Sequence, residues 1–365
     1  MRVGLLSDEY DAHGLSLFFF GLKNNFNYVD VSLLNFEYIS RKLETLANAS
    51  SLYKLDVAIV ADLPIDMKRP DEVIQIYAKV VPFVGRLVFL DHHPTSRKFK
   101  AELVEVGVLP VITNGIGMSI WIYEFARSGK FLLLEGMSDE DIVRRAVQYV
   151  DDPLFHILLY GNFADMDYSA ALLMRLYPEI GNKLNEEALG FDVLTRIDRL
   201  AIAKFSPREL IEVVSKVVRG IKEGSIRYPP AIYAEVVRGR AKVIDQILVY
   251  IFEHEFPMQW LNRTIAYIMN TNNSLRYAIV ASSGRDERSG KDQTLICIYA
   301  RWYDIDQNLT EVTEKIVKIL NEETGLKWFN FGHKTFSCVA TEKVLNRETL
   351  TRLVEIVLNQ VNYRT

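Results

Sequence analysis

Four short clusters of acidic residues and histidines mark where this 365-residue chain has the donors to hold a hard cation. They are Ser7-Asp8-Glu9-Tyr10-Asp11-Ala12-His13-Gly14, the lone Asp62, Asp91-His92-His93-Pro94, and Gly161-Asn162-Phe163-Ala164-Asp165-Met166-Asp167. Three of the six histidines, His13, His92 and His93, fall inside them. Carboxylates joined by one or two imidazoles are the donor set expected around paired Mn2+ or Mg2+ ions, which prefer oxygen yet tolerate nitrogen. Any one cluster has a plainer reading, because an acidic residue after a strand commonly caps the next helix. Taken together they point to metal-assisted chemistry.

Donors so far apart in sequence must be gathered by the ends of regular elements. Residues 2–6, 28–34, 55–61 and 86–90 are β-branched or apolar runs of strand length, separated by amphipathic segments such as 14–23 and 71–80. The alternation predicts an α/β fold with a mostly parallel, doubly wound sheet, a class that places ligands beyond the C-terminal ends of its strands. From about residue 115 to 224 the pattern becomes helical. Ser138 with Asp141 starts one helix, and Ser206-Pro207-Arg208-Glu209 starts another with a capping box and a proline in its first turn. Gly224-Ser225-Ile226-Arg227-Tyr228-Pro229-Pro230 then breaks the periodicity. Beyond it, residues 231–237, 264–269, 277–281 and 294–301 read as strands, and 309–320 and 348–361 as helices, the first closed by Gly325. The expected organisation is a metal-binding domain over 1–190, a helical linker over 191–228 and a smaller α+β domain over 229–365.

Composition agrees with two globular domains: 49% of residues are hydrophobic and 25% charged. The formal net charge of −4 excludes a generally basic nucleic-acid coat, and it averages unlike halves. Residues 1–190 hold 18 Lys and Arg against 26 Asp and Glu, or −8; the remainder holds 25 against 21, or +4. Cys297 and Cys338 are too few for a disulfide scaffold and are expected as reduced, buried thiols. The opening residues run at once into acidic ones without an apolar signal core, and no apolar run approaches the ~20 residues that span a bilayer. A cytoplasmic protein with no membrane partner is expected.

In these motifs the chain resembles the DHH phosphoesterases, named for the triplet that stands here as Asp91-His92-His93. The family's D-x-D-A-x-G motif is similar to Glu9-Tyr10-Asp11-Ala12-His13-Gly14, its lone aspartate after a strand to Asp62, and the G-x-x-A-D segment of RecJ-type members to Gly161-Asn162-Phe163-Ala164-Asp165. The second domain's G-G-H-x-x-A-A-G loop is similar to residues 331–338, Phe331-Gly332-His333-Lys334-Thr335-Phe336-Ser337-Cys338, and Arg301 lies where many members hold substrate phosphate. Five motifs in the family's order cover nearly the whole chain.

The resemblance implies roles. Asp62 would bridge two divalent ions, Mn2+ before Mg2+; Asp11, His92 and Asp165 would complete one position and Glu9 would serve the other. Asp91 and His93 would be catalytic, orienting ligands or stabilising charge on the phosphate, while Arg301, Gly332, His333 and Lys334 would bind substrate. The implied reaction is two-metal hydrolysis of short oligonucleotides or single-stranded ends to mononucleotides. Polyphosphate, pyrophosphate and cyclic dinucleotides are the other family substrates, and a further branch survives as weakened, RecJ-like structural parts of replication complexes. Replication or repair proteins and a homodimer partner belong to the same set of expectations.

Departures separate the branches. Glu9 replaces the usual aspartate, and its extra methylene moves the carboxylate by more than an ångström, about half of a ~2.1 Å metal–oxygen bond. Leu5 stands where pyrophosphatases and small phosphodiesterases often have histidine, which favours the nuclease branch. Phe331 replaces a glycine and Phe336-Ser337-Cys338 replaces the small A-A-G, so Phe336 would narrow the substrate path or stack on a base.

Overall fold

The structure is a computed structural model and describes residues 1–8, 11–32, 36–65, 69–197, 199–285, 290–301 and 308–362. The alternation of the first half is realised as β1 (Val3–Asp8), α1 (Ala12–Lys23), β2 (Tyr28–Ser32), α2 (Phe36–Tyr53), β3 (Val57–Ala61), α3 (Pro70–Val80), β4 (Leu87–Asp91), α4 (Lys100–Glu105), β5 (Leu109–Ile112) and α5 (Gly115–Ser128). All five strands are parallel, in the order β2-β1-β3-β4-β5. Strands β1, β3 and β4 are buried along their whole length, as their unbroken apolar runs require of a sheet covered on both faces. Leu6, Ala58, Val60 and Phe89 pack with residues of α2 and α3 on one face, and helices such as α1 and α5 cover the other. Strand order reverses between β1 and β3, and a crevice opens at such a switch point beyond the carboxyl ends of the strands.

Helices follow: α6 (Asp139–Val147), α7 (Pro153–Ala164), α8 (Tyr168–Leu176), α9 (Pro178–Ile197), α10 (Arg199–Ile202) and α11 (Pro207–Lys222). Ser138 caps α6, and the capping box of α11 is complete, with the Ser206 hydroxyl accepting from Glu209 N and the Glu209 carboxylate accepting from Ser206 N. Such caps contribute about 1 kcal/mol each. Residues 191–228 are largely helical, and α11 packs on α9 and α7.

The chain divides into two compact units, Met1–Ile226 and Arg227–Thr365. The second, smaller unit is α+β and contains α12 (Pro229–Arg240), β6 (Lys242–Ile244), β7 (Ile247–Ile251), α13 (Leu261–Thr271), β8 (Tyr277–Arg285), β9 (Asp292–Ala300), α14 (Leu309–Thr324), β10 (Phe329–Gly332), β11 (Phe336–Thr341) and α15 (Arg347–Asn362). Its six-stranded mixed sheet runs β10-β11-β9-β8-β7-β6, with only β7 and β8 parallel. The strands split their side chains by the two-residue period. Ile279, Ile296 and Ile298 face the layer of α14 and α15, while Ala278, Val280, Cys297 and Tyr299 face that of α12 and α13. Gly325 ends α14 in a left-handed conformation, as the sequence requires of a helix stop.

Three expectations are corrected. Residues 231–237 form α12 rather than a strand, because Pro229 and Pro230 occupy the first helical turn, where a missing N–H costs nothing. Residues 264–269 belong to α13, whose buried Leu261, Thr264, Ile265, Ile268 and Met269 recur at three- and four-residue spacing. Cys297 and Cys338 form a disulfide rather than two thiols. They are directly opposed on β9 and β11 with Cα atoms 4.0 Å apart, a pairing that sequence separation conceals.

Candidate metal centre

The donors are delivered by the ends of three adjacent parallel strands and by the α7–α8 turn. Asp11 follows β1 and caps α1, accepting from Gly14 N at 2.7 Å. Gly14 is obligatory there, since a Cβ would fall 1.8 Å from Asp8 O. Asp62 follows β3 with its backbone in the left-handed region, φ 59°, while its N–H still bonds Leu90 O of β4. An aspartate tolerates that conformation at a cost of about 1 kcal/mol, and the turn aims a fully buried carboxylate at the switch point. Asp91 ends β4, and His92 and His93 follow. Asp165 closes α7; Met166, also left-handed, turns the chain so that Asp167 caps α8.

These residues converge. His92 Nε2 lies 3.0 Å from Asp62 Oδ1 and 3.7 Å from Asp165 Oδ2. Its other nitrogen, Nδ1, is 2.9 Å from Asp167 Oδ2, and the same carboxylate accepts from Gly115 N and from the N–H and hydroxyl of Ser169. His13 Nδ1 is 3.6 Å from Asp62 Oδ2, with its ring edge-on to His92 at 5.0 Å between centroids. His93 Nδ1 meets Asp91 Oδ1 at 2.8 Å. Among the described residues of the first unit two donor triads emerge, His13-His92-Asp165 and Asp62-Asp91-His93, each with ligand atoms mutually within 4.8 Å.

Electrostatics show strain that a cation would relieve. Burial, then the charge of Asp62, pushes the Asp11 carboxyl up to about 6. Burial, then Asp11, holds Asp165 well above the usual carboxylate range. Burial also lowers His13 to about 4, so its ring is neutral at physiological pH. Burial opposes charge on Asp62 and His92 as well, but their surroundings outweigh it: His13 and then His92 hold Asp62 well below the carboxylate range, and Asp62 and then the hydrogen bond to Asp167 hold His92 well above the imidazole range. Both ring nitrogens of His13, Asp62 Oδ2 and Asp91 Oδ2 are buried without a hydrogen-bond partner among the described residues. An orphaned buried polar atom costs about 1–3 kcal/mol, so this concentration of them fits a ligand-binding cradle, and its oxygen and nitrogen donors suit divalent transition ions.

The structure thus brings together Asp62, His92 and Asp165, couples Asp11 to them, and pairs Asp91 with His93. Glu9 lies outside the described residues. Sequence reasoning named Asp167 and His13 within the donor clusters but gave neither of them a role. The signals for them were an aspartate two residues beyond Asp165 and an imidazole inside the first motif.

Arg301, Gly332, His333 and Lys334 lie in the second unit. Gly332 has φ 130°, and a Cβ there would meet Phe336 O at 2.4 Å. Lys334 O accepts from Leu309 N at the start of α14, and Thr335 O accepts from Ala300 N, which holds the loop beside the end of β9 where Arg301 follows. The Arg301 guanidinium donates to Asn272 O and Leu275 O, at 2.9 and 2.6 Å. Phe336 packs on Tyr299 at 4.7 Å between centroids.

No helix among the described residues is long and apolar enough to cross a membrane. No protein-family model and no curated protein matches the chain. Among solved structures it is similar to one described as the DHH domain of a member of a ribosomal protein family, with a TM-score of 0.60 at 13% identity over 99% of this chain and 86% of that one. CDC45 from Entamoeba histolytica also matches, with a TM-score of 0.45 at 9% identity over 98% of this chain and 95% of that one. Strand order, motif placement and the first of these likenesses agree: the fold is that of the DHH proteins.

Proposed function

We propose that this protein is a metal-dependent phosphodiesterase acting on short oligonucleotides or single-stranded ends, with Mn2+ as the working ion. The observation that carries the reading is Asp62, buried and left-handed, facing His92 at 3.0 Å and His13 at 3.6 Å while belonging to a second donor group with Asp91 and His93. A carboxylate so placed is suited to be shared by two cations. Asp11, His92 and Asp165 would hold one of them, and Glu9 is assigned to the other by the motif alone.

Bound divalent ions supply an acidified water and neutralise charge on phosphate oxygens. The chain's own residues supply orientation. Asp167 keeps the proton of His92 on Nδ1 and leaves Nε2 as the donor atom. Asp91 holds His93 through Nδ1 at 2.8 Å, and the ring so oriented would bond phosphate or move a proton. Gly332, His333, Lys334 and Arg301 are the second unit's candidates for substrate phosphate, with Gly332 letting the backbone turn tightly and Phe336 offering an aromatic face.

The test is hydrolysis of a 5′-labelled RNA or DNA of about five nucleotides with Mn2+ or with EDTA, alongside pyrophosphate, polyphosphate and a cyclic dinucleotide. Mn2+-dependent release of mononucleotides, lost in Asp62→Ala and His92→Ala, is the expected result. Faster turnover of an inorganic phosphate chain would replace the substrate, and normal turnover in either variant would remove the metal assignment.

A further inference from the structure

His13 occupies the variable position of the first motif, where nothing in the metal chemistry assigned so far demands a particular residue. It is nonetheless a costly side chain to bury. It is completely buried on the first turn of α1, and neither ring nitrogen has a hydrogen-bond partner among the described residues. A histidine that only filled space would satisfy at least one nitrogen or give way to leucine, because a buried imidazole with two idle nitrogens loses its hydration for nothing. The ring is also held in place: Gly161 of α7 has no side chain, and a Cβ there would fall 2.7 Å from His13 Cα and 3.1 Å from its Cδ2. So held, His13 directs Nδ1 to 3.6 Å from Asp62 Oδ2, too long for a hydrogen bond, and sits with His92 and Asp165 in one donor triad.

We propose that His13 is a metal ligand, giving the ion shared by Asp62 and Asp165 a second imidazole beside His92. The inference rests on the metal-centre reading above and deepens it. Two nitrogens beside the carboxylates of Asp11, Asp62 and Asp165 make this position softer than an all-oxygen site. Imidazole adds little to the binding of Mg2+ and much to that of Co2+, Zn2+ or Fe2+, so His13 sets selectivity against Mg2+. The two metal positions then differ, one rich in nitrogen and one in oxygen.

The experiment uses the full-length protein stripped of metal and titrated with Co2+, followed by visible absorption, with Mg2+ as competitor. In parallel, pulsed EPR on substoichiometric Mn2+ in protein carrying 15N-histidine counts the coordinated nitrogens. Two histidine nitrogens are expected in the wild type and one in His13→Leu. Co2+ affinity is expected to fall 10–100-fold in that variant while Mg2+ affinity changes less than about threefold. Because leucine removes two orphaned nitrogens, the metal-free variant is expected to melt no lower than the wild type. His13→Gln, which keeps a polar side chain of similar reach, gives a second reading of the same ratio if the leucine variant fails to fold. One nitrogen in the wild type, or unchanged Co2+ affinity in a folded variant, overturns the inference. If His92→Ala and Asp62→Asn abolish Co2+ binding while His13 substitutions do nothing, only this inference falls; if Co2+ binding is indifferent to all of them, the metal-centre reading falls with it.

Discussion

Asp167 accepts from His92 Nδ1 at 2.9 Å, and that one hydrogen bond decides which face of the imidazole is left for chemistry. The carboxylate is itself fixed by Gly115 N, Ser169 N and the Ser169 hydroxyl, so the His92 ring is oriented by a chain of contacts reaching α5 and α8. Gly115 permits the approach; a Cβ there would lie 2.8 Å from Asp167 Oδ2.

Removing this orienting charge without removing the helix cap tests its role. Asp167→Asn keeps an acceptor for Ser169 N but removes the negative charge facing His92. Metal affinity is expected to fall 10–100-fold, read by isothermal titration with Mn2+, with little change in metal-free melting temperature. Asp167→Ala adds the loss of the cap, about 1 kcal/mol, to the same loss of affinity.

The pH dependence of stability without metal reports on Asp11. Unfolded, its carboxyl titrates near 3.8; folded, near 6. Between these values the folded state holds more protons, so the group's contribution to stability declines as pH rises across the window, and the loss is complete above about 6. Asp11 is only partly buried as a residue, so solvent screening limits its contribution to about 1–2 kcal/mol. In EDTA, Asp11→Asn is expected to match the wild type near pH 4 and exceed it by that amount at pH 7, as measured by urea denaturation. Adding Mn2+ should reverse the order, because only the wild type gains a ligand.

The left-handed backbone at Asp62 allows its geometric and chemical roles to be separated. Asp62→Gly and Asp62→Ala remove the same carboxylate, but only glycine adopts φ 59° without strain. Both are expected to lose metal binding and turnover. The glycine variant should be the more stable by about 1 kcal/mol in metal-free chemical denaturation.

The disulfide between Cys297 and Cys338 closes a loop of 41 residues within the second unit. Native disulfides typically contribute about 2–4 kcal/mol. Thiol titration should find no free cysteine in the native protein. Reduction, or Cys297→Ser with Cys338→Ser, should lower the melting temperature of the second unit while Mn2+ affinity at the first unit is retained.

Much of the frame around the candidate metal centre was legible in the sequence because it rests on local signals. The apolar runs 2–6, 55–61 and 86–90 announced β1, β3 and β4, and the Ser206–Glu209 box and Gly325 announced a helix start and stop. β5 escaped because four residues, Leu109-Pro110-Val111-Ile112, carry too little pattern to stand out before a long helix. α12 and α13 were mistaken for strands because Ala231–Val237 and Thr264–Met269 are rich in β-branched and aromatic residues, and tertiary packing overrides that preference. The parts played by Asp167 and His13, and the disulfide, were hidden for a different reason. Each is defined by what lies opposite it, and opposition across strands or between helices is not written in spacing along the chain.

The parallel sheet also acts as a length standard. Neighbouring strands stand about 4.8 Å apart, whereas paired ions in two-metal sites are about 3.5–4 Å apart, so strand ends alone hold donors too widely to share such a pair. Asp62 follows the middle strand of β1, β3 and β4, and its left-handed backbone takes it out of that strand's extended conformation. In the proposed two-ion reading, the strained residue would be the gauge that fits the fixed pitch of a sheet to the shorter pitch of a metal pair.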